Sequence, residues 1–304
     1  MSQTQQSTPR GKVNPRPAGL ILLIFVAFIA LGMPDGLLGV GWPSIRASFN
    51  VPIDALGSLL FVAMVGYLTS SFLSGELTRR WGVGRLLLVS CALTGAGLIG
   101  YTLVPQWWMM VALGLAAGMG AGGIDSSLNA YVARHYGPGL MQWLHASYGV
   151  GITCGPLIMT AALTNFQNWR WGYVLVGAVQ IVLALTFWIT LPIWQQNNGA
   201  PAEAQADPQE EVNLGQTLKR RRVWLSMLLF FFYVGSEVTM GTWVYSLLTE
   251  GRGIDPQLAG YFAGSYWLTF TIGRVLAGLL TRKINIQTLV KACIVAALLA
   301  GAVL

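Results

Sequence analysis

Charge is what this sequence has least of. Asp, Glu, Lys and Arg make up 10% of its 304 residues, against about 25% in a soluble globular chain. With 54% hydrophobic residues and a mean hydropathy of +0.59, the water-soluble class is excluded and the chain reads as an all-α membrane protein. Cysteine is scarce too. Cys91, Cys154 and Cys293 each stand alone in an apolar segment with no CxxC pair, so they read as buried free thiols, with no metal or redox role. No cofactor and no metal are expected. The net charge of +7 comes from short basic clusters between apolar runs, without the continuous basic face a nucleic acid requires, so no nucleic-acid partner is expected.

What is present is a series of apolar runs about 20 residues long, the length that crosses a ~30 Å hydrocarbon core as helix. They lie near 18–42, 55–75, 86–105, 107–133, 141–164, 172–195, 223–247, 258–281 and 288 to the end. The first is too long for a signal peptide and contains Pro34 and Asp35 with no small-residue cleavage site after it. Trp107, Trp108, Trp169, Trp171 and Trp194 fall at run ends, as an interfacial aromatic belt would place them.

Basic residues orient the chain. With the N-terminus cytoplasmic, thirteen Lys and Arg fall inside, namely Arg10, Lys12, Arg16, Arg79, Arg80, Arg85, Arg134, Lys219 to Arg222, Arg282 and Lys283. Only three, Arg46, Arg170 and Arg252, fall outside, so a multi-pass protein of the cell (inner or plasma) membrane with a cytoplasmic N-terminus is expected. Residues 1–17 read as a cytoplasmic tail, 18–195 as a six-helix bundle, 196–222 as a polar cytoplasmic linker, and 223–304 as three helices of a second bundle.

The second part repeats the first. "SGELTRR" (Ser74 to Arg80) returns as "AGLLTRK" (Ala277 to Lys283), 203 residues on, and Asp35 with Gly39 returns 202 residues on as Glu237 with Gly241. Two matches at nearly one offset point to parallel repeats. On that reading the second unit is incomplete, and the chain is expected to be a fragment without activity alone.

An ionisable side chain in a membrane span costs about 2.5–3.5 kcal/mol on insertion scales and is a functional candidate by default. Asp35, Asp125 and Glu237 are the deep acids. At 100° per residue, Gly118, Gly122, Asp125 and Asn129 share one helix face, so small residues that admit a neighbouring helix lie in line with the polar pair. Pro34 is expected to kink the first helix and free a carbonyl that must line a cavity or find a donor. Glu237 shares a stripe with Tyr233 and Gly241. Low-dielectric surroundings favour the neutral carboxyl group in general, which is how such acids come to exchange protons near neutral pH. A structural hydrogen bond is the competing role for each acid.

The six-helix unit, the long linker and the Gly75-x-Leu77-x-x-Arg80-x-Gly82 loop resemble the major facilitator superfamily. That resemblance implies its fold, a six-helix N-terminal bundle followed here by about half of a C-terminal one. "MPDGLLGVGWPSI", "GIDSSLNAYV", "LHASYGVGITCGP" and "GSEVTMGTWVYSLL" are similar to its fucose permease branch of sugar:proton symporters, whose acids in the first and fourth helices fall on Asp35 and Asp125. The loop departs from the family pattern, with Arg79 where an aspartate is usual; the cytoplasmic gate loop is then Gly75, Arg79, Arg80, Gly82 and Arg85, and Glu76 is the candidate replacement for that aspartate.

The implied function is alternating-access, proton-coupled transport of a small polar, sugar-like solute, with the lipid bilayer, protons and that solute as partners and a monomer as the acting unit. Proton-driven drug efflux is the alternative, since Gly151, Gly155 and Pro156 match part of an antiporter motif whose following glycine pair is absent. His145, Tyr148, Tyr233, Trp243, Trp267 and Arg274 are further substrate or gate candidates, with Tyr266 as another stacking surface. Arg274 is also read as snorkelling or carbonyl-bound, and His145 as packing or capping the cytoplasmic start of the fifth helix.

No enzyme is expected. Gly118, Gly120 and Gly123 spell GxGxxG without a preceding strand. Asp35 and Asp125 follow Pro34 and Ile124 where an intramembrane aspartyl protease would have a glycine before one of them. A non-transporting receptor derived from a transporter would usually carry a soluble signalling domain, and none is read here.

Overall fold

The computed structural model describes residues 18–136, 138–197, 218–280 and 284–303. The basic N-terminal tail, Arg282, Lys283 and most of the expected linker lie outside these residues. In lipid every backbone group must be satisfied within the segment, and long apolar runs therefore form helices. The helices are α1 (Ala18–Phe49), α2 (Leu56–Trp81), α3 (Val83–Tyr101), α4 (Trp107–His135), α5 (Pro138–Phe166), α6 (Arg170–Ile189), the short α7 (Leu191–Asn197), α8 (Arg221–Ser246), α9 (Pro256–Leu280) and α10 (Ile286–Val303). Among the described residues, seven helical segments are long and apolar enough by length and composition to cross a membrane, the last running from Arg221 to Gly251.

Three boundaries differ from expectation. The expected gate loop is mostly helix: Gly75, Arg79 and Arg80 belong to the last turns of α2, and Arg85 to the first turn of α3. Gly82 alone joins them, with φ +79°, a conformation that glycine adopts without steric cost. Its N–H donates to Thr78 O at 2.9 Å. The sixth run breaks near Thr190 because Pro192 has no N–H for the carbonyl one turn back. The short α7 that follows carries Trp194 into the core, against Tyr131 and Phe187. Finally, α5 starts at Pro138, so His145 lies two turns inside the helix and caps nothing.

Apolar packing forms two clusters separated along the helix axes. One holds Leu20 to Leu31 of α1, Cys91, Ile124 to Val132 of α4, and Leu183 to Phe187; the other holds Leu37 to Ile45, Leu98, Met110, Ala117, Met159 and Val176. Between them, three helices contribute a polar residue to a middle layer: Asp35 on α1, Thr94 on α3 and Gln180 on α6. Trp169 is buried and donates to Ser48 Oγ at 2.9 Å, so Trp169 and Trp194 belong to the core, while Trp108 and Trp171 stay exposed. Cys91 is buried as expected, but Cys293 is exposed.

Candidate functional site

Two helix crossings place the acids. Gly32 and Gly36 of α1 meet Gly151 and Gly155 of α5 backbone to backbone: a Cβ on Gly155 would lie 2.7 Å from the Gly36 Cα, and one on Gly151 would lie 3.2 Å from the Gly32 Cα. That approach brings Asp35 under α5, where the Tyr148 hydroxyl donates to Oδ2 at 2.7 Å. It also accounts for Gly151 and Gly155 as packing residues.

The second crossing joins α4 to α2. A side chain at Gly118 would strike Ala63, and one at Gly122 would strike the backbone of Tyr67. One turn on, the Tyr67 hydroxyl donates to Asp125 Oδ2 at 2.6 Å, and Asn129 Nδ2 donates to Oδ1 at 2.9 Å. The face predicted from the helical period is thus the face α2 occupies, and Asn129 is the neighbour of Asp125. Tyr67 is the partner that sequence reasoning missed.

These two pairs form one electrostatic group, in which Asp35, Asp125, Tyr67 and Tyr148 all interact. A cavity of about 120 Å³ opens on Asp35 and is lined also by Thr94, Tyr101, Ala121 and Tyr173. That volume admits water.

Pro34 behaves as its chemistry requires. It supplies no N–H to the carbonyl of Ala30, four residues back, and Gln180 Nε2 of α6 donates to that oxygen at 2.9 Å. Left unpaired in the core, the carbonyl would cost about 1–3 kcal/mol.

The second part of the chain presents an ion pair. Arg274 Nη2 of α9 lies 3.7 Å from Glu237 Oε1 of α8, with the Glu237 side chain 14% and the Arg274 side chain 42% exposed. The Arg274 guanidinium also sits 4.0 Å above the Phe270 ring. The partners the structure gives Arg274 are thus a carboxylate and a ring face. Tyr233 interacts with both members of the pair, and the Tyr266 hydroxyl donates to the Glu237 carbonyl at 3.0 Å.

His145 is exposed, edge-on to Phe28 at 6.2 Å, and lies within electrostatic reach of Asp125 and Arg274. Trp267 is buried beneath Gly241, and Trp243 packs half-buried against the second apolar cluster. Of the two, Trp267 is the more deeply buried. Tyr233 is exposed.

At the Phe49 end of α1, Arg46 Nη2 pairs with Glu250 Oε2 at 2.7 Å. Nearby, a Cβ on Gly39 would lie 2.8 Å from the Gly241 carbonyl oxygen, so α1 and α8 meet there closely. At the other end, Glu76 accepts hydrogen bonds from Arg79 at 2.6 and 2.8 Å and from Arg80 at 2.5 Å. The two arginines of the motif thus share one carboxylate, on the residue expected to replace the missing aspartate.

Comparison with known proteins places this geometry. The family model described as Major Facilitator Superfamily matches residues 20–304. Similar curated proteins include "Bypass of stop codon protein 6" of Saccharomyces cerevisiae, 22% identical over 86% of this chain and 57% of its own length. Another is the human "Sodium-dependent glucose transporter 1", 23% identical over 84% of this chain and 55% of its length. The chain therefore spans a little over half the length of these relatives. Among solved structures, a D-xylose-proton symporter aligns with a TM-score of 0.59 at 15% identity, covering 89% of this chain and 70% of the symporter. That likeness is one of fold.

Proposed function

This chain belongs to the major facilitator superfamily, and we propose that it carries the N-terminal bundle and the first C-terminal helices of a secondary active transporter for a small polar, sugar-like solute, coupled to protons. The observation that carries this reading is the pair of carboxylates on different helices, Asp35 and Asp125, each held by a tyrosine hydroxyl in one electrostatic group. Acids in an apolar span are retained for ion or solute pathways. A similar human protein is named for glucose transport and a similar fold for xylose–proton symport, which supports a sugar-like substrate class.

Alternating access then places the solute between the Asp35–Asp125 group and the Glu237–Arg274 pair, near the midplane where the two repeats face each other. His145, Tyr148 and Tyr233 line the approach, and Asn129 orients Asp125. The Arg46–Glu250 pair latches α1 to the end of α8 on the outer side, and Glu76 holds Arg79 and Arg80 on the cytoplasmic side. The inner membrane, a cytoplasmic N-terminus and a monomeric unit complete the proposal.

The test is a panel of labelled monosaccharides and polyols offered to proteoliposomes holding the product of the full reading frame that contains this sequence, with a pH dye inside. Uptake of a sugar with internal acidification is expected. Uptake driven by a sodium gradient alone would overturn proton coupling, and exchange of apolar cationic drugs without sugar uptake would overturn the substrate class.

A further inference from the structure

Gln180 is a buried polar residue that transport as proposed does not use directly. It is 0% exposed in the middle of α6, between residues of the two apolar clusters. Its Nε2 reaches the Ala30 carbonyl at 2.9 Å, and its Oε1 has no partner. The amide orientation follows from chemistry, because a carbonyl oxygen only accepts and must face the NH2 end. A buried amide left half-satisfied is not what packing alone selects, since an apolar residue of similar shape avoids the desolvation cost. Its use is therefore the donor.

We infer that Gln180 is a positioning residue for Asp35: it replaces, from α6, the N–H that Pro34 removes from α1, and so fixes the helical turn on which Asp35 stands. Pro34 and Asp35 are consecutive, and the Ala30 carbonyl opens the turn that ends at them. The same stretch of α1 is held by α5 through Gly32 and Gly36. With α5 and the Gln180 donor both holding it, the turn has one position, in which Asp35 meets Tyr148. Without the donor the turn can open, and the Asp35 carboxyl leaves the tyrosine. This inference rests on the proposed function only for the role of Asp35, not for the geometry.

The experiment is a two-residue cycle in the full reading frame: Gln180→Leu, Pro34→Ala and the double variant. In Pro34→Ala the alanine N–H restores the intrahelical bond to Ala30, which makes Gln180 dispensable. Two readouts are taken, amide hydrogen exchange across residues 31–36 and the split of sugar uptake between KM and maximal rate. Gln180→Leu alone is expected to speed exchange in that segment about fivefold or more and to change uptake kinetics, while in the Pro34→Ala background it changes neither. An equal effect in both backgrounds overturns the assignment, as does no effect on exchange in either. If Gln180→Leu fails to accumulate, recovery of the folded protein by adding Pro34→Ala supports the assignment, and loss in both backgrounds overturns it. Exchange needs no substrate, so this arm still decides the matter if no sugar is transported.

Discussion

The hydroxyl of Tyr148 donates a 2.7 Å hydrogen bond to Oδ2 of Asp35, tying the middle of α5 to the turn of α1 that follows Pro34. A Tyr67–Asp125 bond of 2.6 Å ties α2 to α4 in the same way. Each acid thus has a partner that can pass or hold a proton and that reports on the position of a second helix. Leaving a buried polar group without its hydrogen-bond partner costs about 1–3 kcal/mol, so removing one hydroxyl has a measurable effect.

Tyr67→Phe and Tyr148→Phe keep the ring and lose the donor. Each is expected to lower the proton-driven uptake rate roughly tenfold or more with normal membrane insertion. Initial rates at saturating solute, with protein quantified in the same vesicles, check this; unchanged rates in both variants would remove the tyrosines from the site.

Gly36 and Gly155 meet with no room for a side chain. Gly36→Ala or Gly155→Ala should force α1 and α5 apart, a strain of about 1–3 kcal/mol of the kind seen in overpacked interiors. A lower thermal unfolding midpoint in detergent is expected for each, whereas Gly75→Ala, inside α2 where a Cβ meets nothing within 4 Å, should keep or raise the midpoint.

The Arg46–Glu250 pair is partly exposed, at 31% and 35% of the side chains, so its worth to stability is small, about 0–1 kcal/mol. In the proposed transport cycle its consequence is kinetic. Arg46→Glu and Glu250→Arg are each expected to change the rate at which the outer side opens, and the double swap to restore it. Labelling of a cysteine placed at Phe49 by an impermeant thiol reagent measures this. Equal labelling rates in all four proteins would remove the latch.

Much of the architecture was readable from sequence because bilayer thickness sets helix length. The face of Asp125 was readable because Gly118, Gly122 and Asn129 repeat with the helical period. The carbonyl freed by Pro34 was foreseen, but its donor was not: Gln180 lies 150 residues away, and its one local signal is a lone amide in an apolar run. Tyr67 was missed for the same reason, since a tyrosine among apolar residues looks alike in a core, at an interface or beside a carboxyl group. Arg274 was read too simply, because its pairing with Glu237 depends on how α8 and α9 pack. Gly82 was read as part of a loop because composition does not tell a one-residue hinge from a longer connection.

The most direct measurement of the central claim is solute uptake coupled to internal acidification in proteoliposomes, comparing the unaltered full reading frame with Asp35→Asn and Asp125→Asn. Both substitutions keep size and shape, exchange one acceptor oxygen for an NH2 donor, and remove the titratable proton. Loss of acidification and of uphill accumulation in each variant, with insertion intact, is the result expected if these two carboxyl groups carry the coupling. Full proton-driven uptake in both variants would contradict it.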